Sequence, residues 1–331
     1  MNRKIIFRVD GNNKIGLGHI TRCIALAEMI NAEYNCSFAI MQPEQSLANQ
    51  VTIAGCDVFP LENSSLTAFL DCLKGNEIVV LDGYKFDEVY QDRIKEKGCK
   101  LVCIDDLSQQ HFKADVIINH ALTASAEQYS KEEYTKVLVG NKYVLLRKEF
   151  LGIPQNQKHQ KHQKFDIPFV CLGGADKDNL SFKVASLLGQ LEGIKHVNVL
   201  VGSAYLGNIQ ELKAIDSRIN VFQNLPAEEV VKVMRQSTFA IVSASGIAYE
   251  CAAVGLPMIT GHYIDNQLLF YAALILQPNI VGLGSYFDLS LDKLKYVALQ
   301  LKLAYQGDVD GLIDGKQKQR YLEVFNELCI D

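Results

Sequence analysis

The stretch Arg8–Ala27, RVDGNNKIGLGHITRCIALA, decides how the whole chain is read. The apolar run KIIFRV leads into it as a strand. Ile20, Cys23, Ile24, Ala27 and Ile30 then recur at helical spacing, so a helix follows. Between the two lie Gly11, Gly16 and Gly18, with His19 where the helix begins. Strand, glycine turn and helix make the opening of a parallel α/β unit. Glycine lets the backbone come close to a ligand. A helix that starts near Gly18 aims unpaired N–H groups and positive partial charge out of the turn, where an anion fits.

Two common phosphate-binding patterns fail here. Gly11 to Gly16 has the glycine spacing of a P-loop, but Leu17 and Gly18 stand where Lys and Ser/Thr are needed. Read as G-x-G-x-x-G from Gly16 and Gly18, the third glycine is Thr21, and the next strand, CSFAIM, carries no acid at its end for a ribose. What remains is a histidine in a first helical turn. The helix dipole there favours neutral imidazole, which is fit to accept a proton. Asp10 and Arg22 lie nearby in sequence; a packed structural histidine is the plainer alternative.

Working outward, CSFAIM, EIVVLD, LVCIDD, ADVIINH and KYVLL read as further β segments, separated by helical stretches. Near-continuous apolar strands of this kind belong to a parallel sheet covered on both faces. EIVVLD and LVCIDD end in aspartates, at the strand ends where open parallel sheets bind ligands. Asp105 and Asp106 are adjacent and point to opposite faces, a poor clamp for a metal. Residues 152–165, GIPQNQKHQKHQKF, are polar and read as a linker, His159 and His162 included. The α/β pattern then restarts with IPFVCLGG, HVNVLVG, INVFQN, FAIVSASG and PMITG. A helix is read over about Ser181–Gln190, and AEEVVKVMRQ and GIAYECAAVG read as later helices. Two similar α/β halves with a ligand cleft between them are expected. The closing segment KQKQRYLEVFNELCI is amphipathic and reads as a helix.

In the second half Gly173 and Gly174 end a strand, and Ser243, Ser245 and Gly246 sit at a strand-to-helix turn suited to a phosphate or to capping. Glu250, four residues on, suits a ribose, because a carboxylate accepts two hydroxyl protons. Asp265, Asn266 and Gln267 offer polar groups to a sugar, or a cap to the next helix.

The chain has 331 residues, 48% of them hydrophobic, and a formal net charge of −5. That balance argues against a partner that is nucleic acid or an anionic membrane. No secretory signal pattern and no run of about 18 apolar residues is present, so no membrane insertion is expected. Nine scattered cysteines read as free thiols in a reducing cytoplasm.

The opening motif, together with LDGYKFD, CIDDL, VLLRKEF, CLGGADKDNLS, SASGIAYECAAVGLP and DNQ in that order, resembles the UDP-2,4-diacetamido-2,4,6-trideoxy-β-L-altropyranose hydrolases of pseudaminic-acid biosynthesis. The resemblance spans nearly the whole chain. It implies an α/β fold of two Rossmann-like domains of GT-B type with an interdomain cleft. The boundaries read from the residues are 1–151, a linker over 152–165, a UDP-binding domain over 166–312, and a terminal helix over 313–331, for which the sequence does not decide whether it packs back on the first domain. The resemblance implies a metal-independent, inverting hydrolase that uses no cofactor and takes a UDP-sugar. His19 then matches the catalytic base, and Tyr84 and Asn266 match further active-site residues. Gly16, Gly18, Arg147, Gly173, Gly174, Ser245, Gly246, Glu250 and Gln267 match positions that hold UDP or the sugar. The implied step is attack by water at the anomeric carbon through an oxocarbenium-like state. The rivals are a glycosyltransferase on the same fold and a non-catalytic nucleotide-sugar binder.

Overall fold

The computed structural model describes residues 4–11, 18–62, 66–153, 164–305 and 312–330. Two compact units emerge, one made of residues 1–151 and 316–331, the other of residues 152–315. Most of the polar linker read over 152–165, with His159 and His162, lies outside the described residues, as does Gly16.

The first unit contains β1 (Ile5–Val9), α1 (Gly18–Ile30), β2 (Cys36–Met41), α2 (Gln45–Ile53), β3 (Asp57–Leu61), α3 (Leu66–Leu70), β4 (Ile78–Asp82), α4 (Glu88–Glu96) and β5 (Lys100–Ile104). It continues with β6 (His111–Phe112), β7 (Val116–Asn119), β8 (Ser130–Lys131) and β9 (Lys136–Val139). Seven strands form one parallel sheet in the order β3-β2-β1-β4-β5-β7-β9, while β6 and β8 pair separately. The order reverses direction between β1 and β4, so the crevice beyond their carboxyl ends is where such a sheet takes a ligand.

Alternation along the strands assigns each side chain to a face. Ile5, Phe7, Ile78, Val80, Val102 and Ile104 join the core beneath α1, with Ile20, Cys23 and Ala27. Ile6, Val79, Leu81, Leu101 and Cys103 join the opposite core, with Phe69 and Tyr90 of α3 and α4. The C-terminal helix (Gln317–Cys329) completes the α1 side, where Tyr321, Val324, Phe325 and Leu328 are buried against the same cluster.

The second unit contains β10 (Pro168–Cys171), α5 (Leu180–Gly189), β11 (Val197–Val201), α6 (Ile209–Ala214), β12 (Ile219–Gln223), α7 (Ala227–Gln236), β13 (Phe239–Ser243) and α8 (Gly246–Val254). β14 (Met258–His262), α9 (Leu268–Leu274), β15 (Ile280–Ser285) and α10 (Leu291–Ala304) follow. Its six parallel strands run β12-β11-β10-β13-β14-β15, with the reversal between β10 and β13.

Three differences from the sequence reading have simple causes. KYVLL is not a strand. Gly140, at φ +85°, turns the chain out of β9 into a short 3-10 turn over Asn141–Tyr143. Val144 and Leu146 are nevertheless buried in alternation, which is the β-like signal without a ladder. β3 and β9 are edge strands with partly exposed patterns, and β15 contains Gly282 and Gly284, so none shows the apolar run of a central strand. Among the described residues, no helix is long and apolar enough to cross a membrane.

Candidate active site

At the carboxyl end of β4, Asp82 has the same parity as Ile78 and Val80 and so projects under α1. Its carboxylate is buried and lies 2.7 Å, through Oδ1, from Nδ1 of His19 in the first turn of α1. Arg22, one turn further along α1, grips the same carboxylate as a fork: Nε donates to Oδ2 and Nη2 to Oδ1, both at 2.6 Å. Its remaining Nη1 donates to Asp106 Oδ2 at 3.1 Å. Asp106 follows β5 with the parity of Val102 and Ile104, again toward α1, whereas Asp105 turns to the other face and accepts from Tyr129 Oη at 3.1 Å. Tyr84 stands edge-on to the imidazole with ring centroids 4.9 Å apart, and its hydroxyl donates to Asp106 at 3.4 Å.

The protonation pattern follows from the donors. An ionised carboxylate only accepts, so the short His19–Asp82 contact carries its proton on Nδ1 and leaves Nε2 as the open lone pair. Burial works against the Arg22 charge, but the hydrogen bonds and charge of Asp82 and the charge of Asp106 outweigh it and hold the guanidinium protonated. Burial, then the Asp82 charge, pushes the Cys23 thiol well up, so it stays neutral while its Sγ donates to Asp82 at 3.5 Å. Burial and the nearby Arg22 charge lower His120, just after β7, to about 4. Burial and the Asp106 charge push the Tyr84 phenol up, so it serves as a donor.

Asp10, close to His19 in sequence, belongs to a different network. Arg8 and Asp10 share the parity of Ile6 and face the α4 side of the sheet. The fully buried Arg8 donates to both Asp10 oxygens, at 2.7 and 3.0 Å, and lies over the Phe86 ring. Lys85 and the Met41 N–H complete the carboxylate's shell.

In the second unit, the expected residues gather on turns after the neighbouring strands β10, β13 and β14. Gly173 adopts φ +100°, and a Cβ there would stand 2.8 Å from the Tyr263 hydroxyl. The Gly174 backbone is pressed against Gly202, where a Cβ would meet the Gly174 carbonyl oxygen at 2.4 Å. Asp176 caps α5, its oxygens accepting from the N–H groups of Leu180 and Ser181 at 2.8 Å. Ser245 is the N-cap of α8, yet its side chain makes no capping bond; its Oγ sits 3.0 Å from that of Ser243. Gly246 opens the helix, Glu250 lies one turn along it, and nothing would crowd a Cβ at Gly246. Asn266 is exposed in a 3-10 turn over Asp265–Gln267, whereas Gln267 is buried with Oε1 accepting the Tyr263 N–H at 3.0 Å.

Of the expected residues, His19 and Tyr84 therefore meet directly, with Gly18 next to His19 at the start of α1. Gly173, Gly174, Ser245, Gly246, Glu250, Asn266 and Gln267 belong to the second unit. Arg147 precedes a 3-10 turn over Lys148–Phe150 and stacks its guanidinium 5.1 Å over Phe150. The cluster also brings in Asp82 and Asp106, which the sequence marks only as aspartates at ligand-binding strand ends, and Cys23 and His120, to which the sequence alone attaches no role.

Two parallel sheets flanked by helices, each reversing its strand order once, place the fold in the GT-B class. Solved structures agree. The Arabidopsis thaliana protein UGT89C1, solved with UDP-L-rhamnose, superimposes with a TM-score of 0.65 over 100% of both chains at 10% identity. The calicheamicin glycosyltransferase CalG4 gives 0.60 over 99% of this chain and 96% of its own, at 12% identity. No family model matches the sequence. Among curated relatives, the UDP-2,4-diacetamido-2,4,6-trideoxy-β-L-altropyranose hydrolase of Campylobacter jejuni is 29% identical over 271 residues, 80% of this chain and 93% of that protein. The spore coat polysaccharide biosynthesis protein SpsG of Bacillus subtilis is 21% identical over 262 residues, 78% of this chain and 77% of its own. The chain is similar to that Campylobacter hydrolase over most of the length of both proteins.

Proposed function

We propose that the chain hydrolyses a UDP-linked diacetamido-trideoxy sugar at the bond between the anomeric carbon and the UDP oxygen. The products are UDP and the free sugar, in a surface-glycan route of the pseudaminic-acid type. The observation that carries the reading is the His19–Asp82 contact at the carboxyl end of the first sheet. A carboxylate at that distance favours the tautomer with the proton on Nδ1, which leaves Nε2 to take a proton from water.

The assigned roles follow from the chemistry. Asp82 orients the ring and stabilises the imidazolium that forms. Water attacks the anomeric carbon from the face opposite UDP, through an oxocarbenium-like state, and configuration inverts. The diphosphate is a good leaving group that needs charge stabilisation more than a proton. The turn at Gly173–Gly174 and the amino end of α8, with Ser245 and Gly246, are suited to supply it. In this reading Glu250 accepts from the ribose, Asn266 and Tyr84 face the sugar, and Arg147 and Gly18 line its path. A UDP-linked substrate and nine free cysteines fit a reducing cytoplasm.

The deciding experiment is incubation in ¹⁸O water with candidate UDP-sugars and no acceptor, followed by mass spectrometry. Label in the sugar and none in UDP is the expected result. UDP release only when an acceptor is added would favour a transferase, the activity named for structural neighbours such as CalG4. Nucleotide binding without turnover would leave a binder.

A further inference from the structure

We propose that Arg22 is a positioning residue that keeps His19 a proton acceptor by taking up the charge of Asp82, and that Asp106 holds Arg22 in place for this task. The inference deepens the hydrolytic reading and rests on it for the consequence to rate; its effect on the imidazole itself does not depend on that reading.

The geometry poses a problem that Arg22 answers. A buried carboxylate in contact with an imidazole favours the imidazolium, and an imidazolium has no lone pair with which to take a proton from water. Asp82 contacts His19 at 2.7 Å and is buried. Left alone, it would therefore orient the base and disarm it together. Arg22 covers both oxygens of that carboxylate with a fork, and its Nη2 stands 3.0 Å from His19 Nδ1. The guanidinium thus offsets the attraction of Asp82 and places a like charge against any proton gained by the ring. Nδ1 stays bonded to Asp82, so orientation is kept while the pull toward the charged form is reduced.

Arginine suits the post because three of its nitrogens act at once in one plane: Nε and Nη2 on Asp82, Nη1 on Asp106. Asp106 anchors the outer edge of the fork and also accepts from Tyr84. The other described groups around the ring add no further charge near neutrality. Cys23 on α1 is a buried thiol, Tyr84 after β4 presents a ring edge, and His120 after β7 is held neutral by burial. The local balance is Arg22 against Asp82 and Asp106.

The test is an NMR titration of the His19 ring in the full chain, identified by its loss in His19→Gln and read beside the pH profile of kcat/KM. In Arg22→Gln the His19 midpoint is expected to rise by about one pH unit or more, and the acid limb of the rate profile should rise with it. Arg22→Lys, which keeps a charge without the fork, should hold the midpoint near wild type. Asp82→Asn should lower it. A folded Arg22→Gln protein with an unchanged midpoint overturns the proposal. If Arg22→Gln does not fold, the double variant with Asp82→Asn carries no orphaned carboxylate and decides the matter. It must titrate higher than Asp82→Asn alone, and equal midpoints would show that Arg22 has no hold on the ring. Should no UDP-sugar be cleaved by the wild type, the hydrolytic reading fails, while the His19 midpoints still show whether Arg22 acts on the ring.

Discussion

His19 and Asp82 are 63 residues apart in the chain, and their side chains meet at 2.7 Å. The meeting depends on β1 and β4 being sheet neighbours and on α1 crossing above them. If His19 Nε2 is the base, His19→Asn removes the proton acceptor and leaves the second unit untouched. UDP release should fall by about 10²–10⁴-fold, while calorimetry finds UDP bound as before. Tyr84→Phe loses only a long hydrogen bond to Asp106 and should cost about tenfold or less. Normal turnover by the His19 variant removes the base assignment.

Asp10 governs stability in acid. Burial alone would raise its carboxyl, but hydrogen bonds from Arg8 and Lys85, the Arg8 charge and the Met41 N–H together hold it below the usual range. A depressed carboxyl contributes stability that is fully present above the ordinary Asp value of about 3.9 and is lost as pH falls through the folded value. Glu77, which accepts from the N–H groups of Lys74, Gly75 and Asn76, acts in the same direction. Urea unfolding between pH 7 and 3 should therefore weaken mainly below pH of about 4. Asp10→Asn leaves Arg8 buried without its counter-charge and should cost about 3–5 kcal/mol at pH 7, with a shallower acid dependence. Equal stability of the two proteins at pH 7 would contradict the network.

Gly202 tests the nucleotide assignment at one remove. A methyl there collides with the Gly174 carbonyl, main chain against main chain, so the Gly173–Gly174 turn must shift. Gly202→Ala should weaken UDP binding by about tenfold, or 1.4 kcal/mol, without changing the titration of His19. Unaltered UDP affinity in a folded variant would place the diphosphate elsewhere.

Phe325 is fully buried in the core shared by α1 and β1, although it stands near the end of the chain. Phe325→Ala should cost about 3–5 kcal/mol, measured by thermal or urea unfolding. A cost below about 1 kcal/mol, far under that range, would mean the terminal helix is only loosely applied.

The parallel architecture is legible in the sequence because its central strands are buried on both faces and read as unbroken apolar runs, as in IVVLD and FAIVS. The glycine turns stand out for the same local reason. Some edge strands escape: β9 has one buried residue in four, although β12, also at an edge, is readable as INVFQN. The base is visible as a histidine after glycines, but its partner is not, since Asp10 is near in sequence and Asp82 is near in space. Alternation holds the clue. Asp10 continues the parity of Ile6, away from α1, and Asp82 that of Val80, toward it. Using that clue requires knowing that α1 covers the odd-numbered face of β1 and the even-numbered face of β4, which is set by register across strands and by no single segment.

The terminal helix has a consequence for biogenesis. Residues 152–315 form their unit from one continuous stretch, whereas the other unit joins the first 151 residues to the last sixteen. The core beneath α1 therefore stays incomplete until the whole sequence of the other unit has been made and Tyr321 and Phe325 have followed it.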